Sequence, residues 1–137
     1  MRVMLDANVL ISAFVFKSKK LNGLIEKLSK EHEIVICSYS VEEVQEVIDK
    51  KFSHINIKEV DDFFKTFPFE FVYSPKNIET RLFEIRDEDD YLVLHTAIME
   101  NVDVLISGDK DFEKILVDKP EILKPVEFLN KYYNKNA

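Results

Sequence analysis

Four short apolar runs, RVMLD at 2–6, EIVIC at 33–37, FEFVY at 69–73 and DVLIS at 103–107, recur along the chain with helix-period sequence between them. Short strands joined by helices imply a parallel sheet. A parallel crossover needs a long connection, and the helices that supply it hide both faces of the sheet. The expected class is therefore α/β, a three-layer α/β/α sandwich around a central parallel sheet of four to five strands.

Between the strands the pattern is specific. Residues 9–16 form a short, strongly apolar stretch that reads as a helix packed on the first strand. Leu21, Leu24, Ile25 and Leu28 recur at spacings of three and four, which predicts an amphipathic helix to about residue 30. Ser40 precedes Val41, Val44, Val47 and Ile48 and is an N-cap candidate for the helix that follows. A further helix is expected over 57–66, with Val60, Phe63 and Phe64 inward, and a short one near 77–85. After RDEDD, the stretch YLVLHTAIMEN is apolar almost all round and predicts a buried helix. A short fifth strand near EILKP and a last helix over 126–133 complete the series.

Size bounds the organisation. The 137 residues, 46% of them hydrophobic, suit one domain spanning 1–137, and no linker-like or low-complexity segment divides them. The early apolar run is far shorter than the roughly 20 residues of a membrane span, and Asp6 stands where the apolar part of a signal peptide would begin. A cytoplasmic protein without membrane attachment is expected. Cys37 is the only cysteine, so neither an internal disulfide nor a thiolate zinc cluster is available, and it reads as a small buried strand residue. The net charge of −7 argues against a surface coated in positive potential. Acids gathered around divalent cations would cancel much of that charge, however, and Lys17, Lys19 and Lys20 remain to guide a polyanion.

In open parallel sheets, ligands bind outside the carboxyl ends of the strands, where strand order reverses. Asp6 ends the first strand and Asp109 follows the fourth, so the two face one crevice if those strands are neighbours. Glu43, in the first turn of the helix after strand two, and Asp90, at the start of the buried helix, reach the same edge. Each has a plainer explanation. Glu43 stands three residues after Ser40, the spacing of a capping box. Asp87, Glu88, Asp89 and Asp90 complement a helix N-terminus, although four exceed what capping needs. Asp109 and Asp111 suit a turn and a cap, and Glu46 suits a surface ion pair with Lys50. Asp6 is the hardest to explain structurally, because a charge at the inner end of a core strand is costly unless paired or metal-bound.

The segments MRVMLDANVLISA, SYSVEEVQEVI, RDEDDYLVLHTA and DVLISGDKDF, in that order, resemble the PIN-domain family, and in particular its VapC-like branch of toxin components. The resemblance implies a nuclease that cleaves single-stranded RNA with Mg²⁺ or Mn²⁺. By the same resemblance, Asp6, Glu43, Asp90 and Asp109 match the family's acidic quartet, and Asn8 and Ser107 match polar residues that orient it. Asp89 and Asp111 stand beside the quartet, Asp111 as an auxiliary acid or a cap. The family commonly forms homodimers and is inhibited by a small antitoxin whose chain enters the acidic crevice.

The chemistry follows from the residues as well. Carboxylate oxygens are hard ligands, and a site of acids without His or Cys favours Mg²⁺ or Mn²⁺ over zinc. Without metal, clustered acids repel, so at least one should have a raised, coupled pKa. His95, on a nearly all-apolar helix, reads as packed. Phe14 and Phe16, beside Lys17 to Lys20, are candidate RNA contacts. Two other functions compete with the nuclease. One is a catalytically silent PIN-like module for RNA binding or interaction. The other is a phosphatase of the haloacid dehalogenase type, which would place a second aspartate where this chain has Asn8.

Overall fold

The structure is a computed structural model that describes residues 1–52, 54–55, 57–75, 83, 85 and 87–133. Its strands are β1 (Arg2–Leu5), β2 (Glu33–Cys37), β3 (Glu70–Val72), β4 (Val104–Ile106) and β5 (Glu121–Leu123). The helices are α1 (Ala7–Phe14), α2 (Lys19–Glu31), α3 (Ser38–Lys51), α4 (Ile57–Thr66), α5 (Glu88–Met99) and α6 (Pro125–Tyr132). All five strands pair in parallel in the order β3-β2-β1-β4-β5. The three-layer α/β/α expectation is met. The helix expected near 77–85 falls largely outside the described residues.

Period-two alternation along the strands assigns the layers. Val3, Leu5, Ile34, Ile36, Val104 and Ile106 point into one core with Leu10, Leu24, Leu28, Val44, Ile48 and Phe128, so α1, α2, α3 and α6 cover that face. Met4, Val35, Cys37 and Leu105 point the other way, onto Val93, Leu94 and Ala97 of α5. Because α5 packs this broadly, its apolar residues run almost all round. Cys37 is fully buried, as expected of a strand cysteine. Among the described residues no helix is long and apolar enough to cross a membrane.

Local chemistry sets the helix ends. Asp6 caps α1 by accepting from Ala7 N, Ser18 caps α2 by accepting from Leu21 N, and Asp87 caps α5 by accepting from Asp89 N. Pro125 opens α6, and Glu127 reaches back to Lys124 N at 2.8 Å. One expectation needs correction. Ser40 is not an N-cap: β2 runs straight into α3, Cys37 holds the cap position without a side-chain bond, and the backbone is already helical at Ser38. Ser40 instead lies buried in the first turn, its Oγ 3.3 Å from Cys37 Sγ.

Candidate active site

β1 and β4 are neighbours, with Met4 opposite Leu105 and Leu5 opposite Ile106. The crossovers from β1 and β4 diverge to opposite ends of the sheet, so a crevice opens beyond their carboxyl ends. Asp6 stands at its floor. Its N–H still donates to Ile106 O at 3.1 Å, after which the chain turns into α1 and Asp6 Oδ1 accepts from Ala7 N at 2.8 Å. Asp6 Oδ2 accepts from Ser107 Oγ at 2.7 Å and from Asn8 Nδ2 at 3.4 Å. Gly108 N donates to Asn8 Oδ1 at 3.2 Å, and Asp109 N to Ser107 Oγ at 3.1 Å. Asn8 and Ser107 thus tie the end of β1 to the end of β4. Burial raises the pKa of Asp6, and the bonds from Ser107 and Ala7 oppose that shift by favouring the carboxylate.

Glu43 enters from α3. With Ser40 inside the helix, no capping box holds Glu43, and its side chain is left for the crevice. Its pKa is pushed up to about 7 by burial and by the charges of Asp6, Asp89, Asp87 and Asp109. Glu46, one turn further out, is exposed and pairs with Lys50, as its spacing predicts.

The third contribution comes from the start of α5. Asp90 is buried, and its Oδ2 has no hydrogen-bond partner among the described residues. Burial comes first and Asp109 second among the causes that push its pKa up to about 8, and the two carboxyls lie within hydrogen-bonding reach of one another. Asp87, Asp90 and Asp111 each offer an oxygen within 4.8 Å of the others. Asp111 N donates to Asp109 Oδ1 at 2.9 Å, so Asp109 caps the turn of Lys110–Phe112 while facing Asp90. Asp87 and Asp89 are both exposed, and Asp89 bonds the hydroxyl of Tyr39 instead of joining that group.

Sequence reasoning did not single out Asp87 as a ligand candidate. The i, i+3 spacing to Asp90 puts both on one side of the first turn, and that spacing was the available clue. The residues fit a hard divalent cation. The donor set is all carboxylate, one buried oxygen lacks a partner, and the largest charge effects on Asp6, Glu43 and Asp90 all come from other acids. Such a set can hold Mg²⁺ or Mn²⁺ against a phosphodiester.

Comparison with known proteins finds the same fold. A chain in the crystal structure of VapBC2 from Rickettsia felis, bound to a DNA fragment from their promoter, superposes with a TM-score of 0.69 at 24% identity, covering 90% of this chain and 98% of that one. Mycobacterium tuberculosis VapC20, a Sarcin-Ricin loop cleaving toxin, superposes with a TM-score of 0.59 at 7% identity, covering 83% of this chain and 96% of that one. No curated protein matches by sequence. Residues 2–111, which include every acid of the crevice, match the PIN domain, and the chain belongs to the PIN-domain family.

Proposed function

We propose that this protein is a Mg²⁺- or Mn²⁺-dependent endoribonuclease that cuts single-stranded RNA by water attack on the phosphodiester. We further read it as the toxin of a toxin–antitoxin pair, acting in the cytoplasm as a homodimer restrained by a small antitoxin. The observation that carries the nuclease reading is the buried, unpartnered Asp90 Oδ2 among the carboxylates of Asp87 and Asp111. Burial and neighbouring acids make ionisation of Asp90 costly in the metal-free protein, and a hard cation would remove that cost. The toxin reading draws support from the folds of the VapBC2 and VapC20 chains.

In this reading Asp6, Glu43, Asp90, Asp109 and Asp111, joined by Asp87, hold the metal, and Asp89 supports the rim. A bound dication supplies charge to offset that developing on the phosphoryl oxygens and lowers the pKa of an attacking water. Asn8 and Ser107 fix the orientation of the Asp6 carboxylate by donating to Oδ2. Without metal, Glu43 is pushed up to about 7 by burial and by the neighbouring acids, and a bound dication would offset that crowding and hold it ionised. Asn8 itself disfavours the phosphatase alternative. Its amide is committed to Asp6, Ser107 and Gly108, in the place where that chemistry uses a second acid.

The test is incubation of a long single-stranded RNA with Mn²⁺ or with a chelator, alongside a small phosphomonoester. Internal cleavage that requires metal, is lost in D90N and releases no phosphate from the monoester is the expected result. Binding without cleavage would establish the silent module instead, and phosphate release the phosphatase.

A further inference from the structure

The turn between α1 and α2 presents a surface that the catalytic acids do not explain. Phe14 is not part of it: its ring packs edge-on against Phe63 at 4.6 Å and Phe64 at 5.9 Å, inside the fold. Phe16 is 68% exposed. Its ring meets Phe52 edge-on at 6.0 Å, and Phe52 meets His54 edge-on at 6.2 Å. Edge-on support steadies the ring without covering both of its faces.

Beside it in the chain stand three lysines. Lys17 takes a left-handed backbone, φ 48°, which swings the chain into α2. Lys19 and Lys20 are exposed in the first turn of α2, which contains no acidic residue. Cations at a helix N-terminus oppose the macrodipole, so helix stability does not account for them. None of the three forms an ion pair among the described residues.

A hollow joins the rim of the crevice to the first turn of α2, where Leu21 follows Lys20. It measures about 250 Å³ and runs from Asn8 and Gly108 past Ser12 to Leu21. Asn8 and Ser12 follow one another at i, i+4 along one side of α1, and Phe16 stands two residues past the end of that helix. The eight residues of α1 rise ~12 Å at ~1.5 Å each, so the turn beyond its end lies about four stacked nucleotides, at ~3.4 Å each, from Asp6 at its start. On the other side of the crevice, a cavity of about 610 Å³ is lined by Asp109, Glu113, Asp118, Glu121 and Glu127 and by Lys124, which pairs with Glu113. Acids outnumber the lysine there, so that side attracts a polyanion less than the lysine-bearing turn does.

We infer that Phe16, Lys17, Lys19 and Lys20 form a substrate subsite, in which Phe16 stacks on a base of single-stranded RNA and the lysines hold its phosphates, about four nucleotides from the bond that is cut. This rests on the endoribonuclease reading. The experiment measures kcat/KM with Mn²⁺ on a labelled twelve-nucleotide RNA and on a four-nucleotide RNA too short to reach the turn. Phe16→Ala should lower the value about tenfold on the longer RNA and leave the shorter unchanged, and Phe16→Trp should restore it. Independently of ring packing, Lys19→Ala with Lys20→Ala should reduce the slope of log affinity against log salt by about 1.4 for the longer RNA, ~0.7 for each phosphate contact. Cleavage by the wild-type protein with equal losses on both lengths, or with none, overturns the subsite while the nuclease reading stands. Failure of the wild-type protein to cleave either RNA overturns both.

Discussion

Asp6 divides its two oxygens between different duties: Oδ1 caps α1 through Ala7 N, and Oδ2 faces Ser107 and the crevice. Asparagine caps a helix as well as aspartate, so Asp6→Asn should keep the cap while removing the charge. The expected outcome is loss of metal-dependent cleavage with the metal-free protein no less stable by urea denaturation. Asp6→Ala, which removes the cap too, should cost about 1 kcal/mol. Asp87 is a second such residue, since it caps α5 while lying in the closest group of carboxylates. Asp87→Asn should therefore weaken Mn²⁺ binding in calorimetric titration by about tenfold or more, a loss of the size seen when metal-site partners are removed. Asp89→Asn, at the exposed rim, should have a much smaller effect. The sequence displayed the acids but not their directions. Asp6, Asp90 and Asp109 stood out because each adjoins a buried apolar element, whereas Asp87 was one of four adjacent acids, and only its place beside Asp90 and Asp111 in the folded chain sets it apart.

At the level of elements, α3 decides how Glu43 is read. Had Ser40 been the cap, Glu43→Gln would still have completed a capping box, and removal of the Ser40 hydroxyl would cost about 1 kcal/mol. With the helix starting at Ser38, Glu43 has no cap to serve. Glu43→Gln should leave the metal-free protein as stable as before or more so, and should reduce Mn²⁺ affinity and cleavage together. Most elements were legible because the period-two and period-3.6 patterns do not conflict here. RVML, EIVIC and VLI are continuous apolar runs, and Leu21, Leu24, Ile25 and Leu28 mark one side of α2. Boundaries were less legible where a strand passes directly into a helix. At Cys37 and Ser38 no turn residue separates the two, so Ser40, the next hydroxyl before the valines, imitated a cap. The adjacency of β1 and β4 was a condition in the sequence and became a fact only in the sheet order, which no local pattern encodes.

Over the whole molecule, charge is sorted by place: acids from the end of β1, from α3, from the start of α5 and from the β4 loop meet in one crevice, while Lys17, Lys19 and Lys20, which form no ion pair among the described residues, gather at the α1–α2 turn. This concentration predicts how stability depends on pH. The pKa of Glu43 is raised from its usual 4.5 to about 7, and that of Asp90 from 3.8 to about 8. In each case the folded state binds its proton more tightly than the unfolded chain does, so stability falls with pH wherever the folded protein holds more protons. The contribution is fully present below about pH 4 and is lost progressively as pH rises through 7 for Glu43 and 8 for Asp90. In chelator, the thermal midpoint should therefore decline between about pH 5 and pH 8, and Asp90→Asn should flatten that decline. Mn²⁺ binds the ionised carboxylates and displaces their protons, so its stabilising shift should grow over the same interval. Thermal melts at pH 5, 6, 7 and 8, with and without Mn²⁺, measure both trends. A decline that Asp90→Asn leaves unchanged would trace the pH dependence to the general excess of surface acid and not to the crevice.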